Sequence, residues 1–280
     1  SVCGARSRGE LPKTVGVCQM GPSLTAWICL LAGQFRMSVR NIQGLLKDGF
    51  GVRFSTGAIS EAMGRANRSI EPVYTALCTE IQHNTRVLHG DETSHRRNNE
   101  WRWMWSAASD RHVVFRAHHS RGQGAAKALI GEDFAHVLVS DQYVGYNWVP
   151  KERRQFCWAH IIRNLTRMAE RGGATGMIGA RLLLVALVVV RTQHRYDRGQ
   201  LDQPRYRRRM KRLRGSFGRL LQTGADDPHL RSRNACKLLL KHQLSLWTFL
   251  RYDGVPITNN RAEQCIRPYV ICRKTSHATQ

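Results

Sequence analysis

Apolar and polar positions change period along this chain, and each change marks a part of it. From Gly21 to about Gln82 the apolar residues fall at helical spacing. One run covers Ser23 to Phe35. Ser38 caps a second through Leu46, Gly49 and Gly51 break it, and Ser55-Thr56 caps a third through about Ala66. The pattern then shortens to β-rich runs. Arg86–Asp91, Glu100–Ala108 and Arg111–Ala117 read as three successive strands, followed by a helix from about Gly124 to Ile130, a strand into Asp141, and a short strand Arg154–Cys157 leading to a helix. Trp101, Trp103 and Trp105 alternate, so they share one face of the second strand, which is expected to pack on the core. Beyond Gly172-Gly173 the pattern is helical again. Leu182 to Val190 is apolar throughout, too short for a membrane span, and reads as a buried helix or strand.

These shifts divide the chain into a linker at 1–20, a helical region at 21–84, the first part of an α/β unit at 85–170, a mainly helical basic insertion at 171–254, and the end of the α/β unit at 255–280. Two short helices around a glycine turn resemble a helix-turn-helix, with Arg65 near the end of the second and Arg68 just beyond it. Ordinary helix packing is the preferred reading, and DNA contact the alternative.

Two acids follow the same grammar fifty positions apart. Val87-Leu88-His89-Gly90 runs into Asp91, and Val137-Leu138-Val139-Ser140 runs into Asp141. An acid ending a buried strand sits at the rim of a sheet, where α/β folds place their sites. Two such acids on neighbouring strands repel each other unless a cation lies between them, the arrangement hard divalent ions require. A third acid, Glu263, follows Pro256-Ile257-Thr258-Asn259-Asn260-Arg261-Ala262. That stretch reads as a turn and a helix capped by Thr258 or Asn259. Glu263 would lie in the second turn with Arg267 on the same face, a Glu–Arg ion pair being the bland alternative, and Pro268 is expected to bend or end the helix.

Charge sharpens the picture. Forty-four Lys and Arg against 20 Asp and Glu give a net charge of +24, which favours a polyanionic partner, nucleic acid before membrane. Between Arg191 and Arg219 stand eleven Lys or Arg and two Asp, and this run includes Arg207, Arg208, Arg209, Lys211 and Arg212. With Tyr206 and Phe217 among them, phosphate contact and base stacking are slightly favoured over a solvated face. Eight cysteines without a CxxC pair make no disulfide framework and no complete zinc site. Cys157 and His160 alone give two ligands, short of a tetrahedron. No signal peptide opens the chain, and its start at Ser1 rather than Met suggests a fragment or processed product.

Five blocks in order carry a resemblance: Gly21-Pro22-Ser23-Leu24, Asp91-Glu92-Thr93, Ser140-Asp141-Gln142-Tyr143, Cys157-Trp158-Ala159-His160, and Thr258-Asn259-Asn260-Arg261-Ala262-Glu263. The chain resembles the transposases of the insertion-sequence-66 family of bacterial mobile elements over roughly residues 10 to 275. The resemblance implies a ribonuclease-H-like mixed sheet flanked by helices, and a DDE recombinase with Asp91, Asp141 and Glu263 as catalytic and metal-binding triad. It also implies two Mg²⁺ ions, replaceable by Mn²⁺, for DNA cleavage and strand transfer. The implied partners are double-stranded DNA (terminal inverted repeats and target), further copies of the chain in synapsis, and accessory element-encoded proteins. No membrane is implied, and the setting is the bacterial cytoplasm, at the nucleoid. Trp158, His160 and Arg163 are expected to serve both packing and DNA positioning, and Arg267, Arg273 and Lys274 join the basic run as expected DNA-binding residues. Two alternatives stay open: a ribonuclease-H-like nuclease that cuts without joining, and a DNA-binding remnant without catalysis. The chain departs from the family where Ser94-His95 follows the Asp-Glu-Thr block in place of Gly-Trp, and where upstream CxxC pairs are absent.

Overall fold

The computed structural model describes residues 20–97 and 99–275, apart from the side chains at 97, 272, 274 and 275. The expected linker therefore falls, except for Met20, outside the described residues. Contacts divide the chain into two compact units, one up to Thr75 and one from Ala76.

The first unit holds α1 (Pro22–Gly33), α2 (Val39–Phe50) and the beginning of α3 (Thr56–His83). Its boundaries are set locally. Pro22 stands in the first turn of α1. Ser38 Oγ accepts from the Asn41 amide at 3.1 Å, Gly51 closes α2 with φ 69°, and Ser55 Oγ accepts from the Ala58 amide at 3.1 Å. Ile28, Leu31, Ile42, Leu46, Ile59 and Ala62 form its core. The helix expected to stop near Ala66 instead runs to His83, taking Pro72 inside it on an exposed flank. A proline there forfeits one backbone hydrogen bond without burying an unpaired group. Arg65 consequently lies within α3, paired with Glu61 at 3.2 Å, and Arg68 lies within it too.

The second unit is built on a five-stranded mixed sheet, ordered β3-β2-β1-β4-β5. β1 (Val87–Arg97), β2 (Glu100–Ala108) and β3 (Val113–His118) form an antiparallel meander. β4 (Val137–Ser140) and β5 (Arg154–Phe156) extend it in parallel on the other side of β1. β4 is buried throughout, as a continuous apolar run in a parallel ladder requires. α4 (Gln123–Ile130) connects the two halves, and α5 (Trp158–Ala169) follows β5.

β1 is six residues longer than its apolar run. It pairs with β4 only from Val87 to His89, then continues against β2 as a hairpin arm reaching Arg97. The arm explains the tryptophans. Trp105, near the sheet centre, is buried and donates its indole N–H to the Ser120 carbonyl at 3.2 Å. Trp103 is half-buried beneath the Arg121 guanidinium, and Trp101, out on the arm, is exposed with Arg96 over its ring. Only the innermost indole packs on the core.

Helices α6 (Gly173–Asp197), α7 (Gln203–Gly224), α8 (Leu230–Lys241) and the short α9 (Gln243–Leu246) form the insertion. They share one apolar core with the sheet: Val137, Val139 and Phe156 meet Leu182, Ala186, Val189, Phe217, Leu221 and Trp247. α6 is long and apolar enough to cross a membrane by length and composition, a test interior helices also pass. Its Leu182, Ala186 and Val189 are fully buried in this core. α6 lies so close to the end of α5 that a Cβ on Gly179 would stand 2.6 Å from the Ala169 nitrogen. Gly179→Ala is therefore expected to destabilise the fold by about 1–3 kcal/mol or more through overpacking, read as a lower denaturation midpoint at unchanged slope.

Candidate active site

The parallel pairing places the two aspartates. Val87, Leu88 and His89 of β1 face Val137, Leu138 and Val139 of β4. Continued two residues, that register sets Asp91 level with Asp141, each just past the end of the parallel ladder. Asp91 thus sits within β1 rather than at its end, because the hairpin arm prolongs the strand. Its Oδ1 accepts from the Glu92 amide at 2.9 Å, and Asp141 Oδ1 accepts from the Tyr143 amide at 2.8 Å.

The third acid is carried in by α10 (Asn260–Thr275). Glu263 lies in the first turn, earlier than expected, and the helix runs through Pro268 to Thr275 instead of ending there. Asn259, at the N-cap position, aims its side chain away from the helix. Its Nδ2 donates to the Gly90 carbonyl at 2.8 Å, its Oδ1 lies 3.1 Å from His89 Nδ1, and its amide donates to Cys157 Sγ at 3.2 Å. One buried asparagine so ties the helix to β1 and to the start of α5. Arg261 adds Nε–H to the Ser109 carbonyl at 3.0 Å and a second bond to the Asp110 carbonyl at 3.2 Å. Glu263 pairs with His160, Nδ1 to Oε1 at 3.6 Å, rather than with Arg267, which is exposed.

Asp91 and Glu92 feel the neighbouring acids. Asp91 is pushed from an ordinary 3.8 up to about 7, first by burial, then by the Glu92, Asp141 and Glu263 carboxylates. Glu92 is a fourth acid, with a nearly sealed side chain, raised first by burial and then by Asp141. Arg121 donates to its Oε1 through Nε at 3.0 Å and Nη2 at 2.8 Å, and Tyr146 donates its hydroxyl to Oε2 at 2.8 Å. A Cβ on Gly90 would stand 3.2 Å from the Tyr146 ring, so glycine there keeps the tyrosine close. Behind Asp141, the buried Arg154 donates to Ser140 Oγ, Asn147 Oδ1 and the carbonyls of Asp141 and Tyr143, at 2.7–3.0 Å. Burial lowers its pKa to about 10, which leaves it cationic at neutral pH.

Sequence reasoning missed Arg121, Tyr146 and Arg154 altogether, since each acts through a partner distant along the chain. Glu92 was visible only as a neighbour of Asp91. The structure also revises three aromatic roles. Trp158 is fully buried, donating to the Leu246 carbonyl at 2.9 Å between Phe217 and Trp247, and offers no surface to DNA. Tyr206 stacks on Tyr196 in the interior, and Phe217 is buried, so neither can stack on a base. Both lie on the apolar stripe of a helix whose other faces are basic. Arg207, Arg208, Arg209, Lys211 and Arg212 are exposed on α7, and Arg163 is exposed on α5. Arg273 bonds Thr93 Oγ1 at 3.0 Å and the Ser94 carbonyl, tying α10 to the hairpin arm. The Lys274 side chain lies outside the described residues.

The second unit thus carries acids on two parallel strands and a late helix close enough for Asp141 and Glu263 to raise the Asp91 pKa. The family model described as Transposase IS66 family matches residues 17–280, and the chain belongs to that family. Membership gives it a transposase role in general terms. Comparison with curated proteins and with solved structures found no match.

Proposed function

We propose that the chain is a DDE-type DNA transposase with a ribonuclease-H-like core, cleaving element ends and joining them to target DNA at Asp91, Asp141 and Glu263. The observation that carries this reading falls on one residue: Asp91 is raised to about 7 by burial first, and then by the Glu92, Asp141 and Glu263 carboxylates. A site that confines so much negative charge in poor solvent is made for cations. Its donors are carboxylate oxygens, which suit Mg²⁺ or Mn²⁺ over softer ions. Bound there, such ions would activate the attacking water or 3′-hydroxyl and stabilise the leaving 3′ oxygen.

The chain's own groups do the rest. Asp91 and Asp141 lie level just beyond the β1–β4 ladder, near enough for Asp141 to raise the Asp91 pKa, and Arg154 fixes the turn that carries Asp141. Glu92 stays sealed under Arg121 and Tyr146, so it supports the site from behind. Exposed arginines of α7, with Arg163 and Arg267, offer a phosphate-binding surface for double-stranded DNA. Synapsis of two ends calls for more than one copy.

The test is incubation of purified chain with terminal-repeat DNA and Mg²⁺ or Mn²⁺. Nicked and joined products are expected. Nicking without joining favours the nuclease alternative, and binding without nicking favours the remnant. A pH effect follows from Asp91. Its proton must leave before a cation binds, so Mg²⁺ affinity is expected to fall as pH drops below about 7. Titration calorimetry at pH 6 and pH 8 checks this, and equal affinities would contradict it.

A further inference from the structure

Two helix N-termini meet beside the acids. α5 starts at Trp158, whose amide donates to the Ile257 carbonyl at 3.0 Å, and α10 starts two residues after Thr258. In the first turn of α5 stands His160, and in the first turn of α10 stands Glu263. Cys157, His160 and Glu263 bring one ligand atom each to within 4.8 Å of one another. His160 Nδ1 and Glu263 Oε1 are both shielded from water, and neither has a hydrogen-bond partner among the described residues. At 3.6 Å they are too far apart to satisfy each other.

We propose that Cys157 Sγ, His160 Nδ1 and a Glu263 carboxylate oxygen form a three-ligand site for a borderline-soft divalent cation of the Zn²⁺ type. Sequence spacing alone supplies two of these ligands, and the fold supplies the third from across the chain. Around a tetrahedral Zn²⁺, ligand atoms sit roughly 3.3–3.8 Å apart, so the imidazole and carboxylate already stand at a coordinating separation. The Asn259 amide donates to Sγ at 3.2 Å, while burial raises the metal-free thiol's pKa, so an entering ion must displace its proton. Thiolate, imidazole and carboxylate together select Zn²⁺ over Mg²⁺. Two anionic ligands neutralise the ion, and a fourth position stays open.

This site shares Glu263 with the acid cluster. On the transposase reading proposed above, Zn²⁺ held by Cys157 and His160 withdraws the third carboxylate from the aspartates and acts as a brake. The coordination itself does not depend on that reading.

Co²⁺ serves as the spectroscopic probe, titrated into the whole chain under reducing conditions. A sulfur-to-cobalt charge-transfer band saturating at one equivalent and displaced by Zn²⁺ is expected. Cys157→Ser should remove the band, and His160→Ala should weaken Co²⁺ binding by about tenfold or more. Circular dichroism confirms folding of each variant, and if Cys157→Ser does not fold, His160→Ala decides. A folded wild-type chain without the band, a band that survives in Cys157→Ser through other thiols, or wild-type affinity in His160→Ala overturns the proposal. A chain that nicks DNA but shows no band loses this site and keeps the transposase reading. One that binds Co²⁺ through Cys157 yet never nicks keeps this site.

Discussion

Asp91→Asn is expected to lose DNA nicking by about a thousandfold or more, roughly 4 kcal/mol of transition-state stabilisation, while making the metal-free protein harder to unfold. The two effects share one cause. The folded-state pKa of Asp91 stands at about 7, above its ordinary 3.8. A group raised in this way stabilises the fold fully only below its unfolded value, and that contribution is lost as pH rises toward about 7. At 1.36 kcal/mol per pH unit, the ionised carboxylate costs on the order of 4 kcal/mol at pH 8. Asparagine keeps the shape and can still accept the Glu92 amide, but carries no charge. In chelator at pH 8, thermal unfolding of the variant should therefore occur several degrees higher, and the gain should shrink toward pH 5. An active variant, or one that is inactive and no more stable, would show that Asp91 is not the strained acid described.

The second large effect is expected at Arg154. Arg154→Met keeps most of the buried volume but removes a charged donor from four acceptors: Ser140 Oγ, Asn147 Oδ1 and the carbonyls of Asp141 and Tyr143, of which the last two keep the Ser140 hydroxyl and the Tyr146 amide. Losing four interior hydrogen bonds from one charged group costs about 3–5 kcal/mol, on the order of ten degrees in melting temperature. The loss is concentrated on the turn that carries Asp141, so cation binding should weaken in whatever fraction stays folded. Chemical denaturation followed by circular dichroism measures the first, and calorimetry with Mn²⁺ the second. A variant within 1 kcal/mol of wild type would mean that the guanidinium network is incidental.

Much of the second unit was legible because its signals are local. β2 begins and ends where its alternating run does, and α4 ends at Ile130 as expected, before a glycine at φ 95°. The offset between Asp91 and Asp141 equals that of the paired residues Val87 and Val137, so the repeated grammar reflected a real register. What escaped reading depended on partners far along the chain. The hairpin arm of β1 is polar, and only its pairing with β2 makes it a strand. Tyr206 and Phe217 look like DNA-stacking groups in a basic sequence, and Trp158 like a residue that both packs and positions DNA. Their burial follows from which face each helix turns to the core, and neighbouring arginines do not reveal that. Asn259 and Arg261 show the reverse: residues in a block singled out for Glu263 turn out to hold the helix that presents it.

Crystals of the whole chain soaked in Mn²⁺, with anomalous scattering recorded, offer the most direct measurement. Asp91 and Asp141 should ligate a shared Mn²⁺ peak, with Glu263 reaching the same cluster of density. Anomalous density absent from the aspartates, or lying with Glu263 turned away from them, would contradict the reading of the three acids as one cation site.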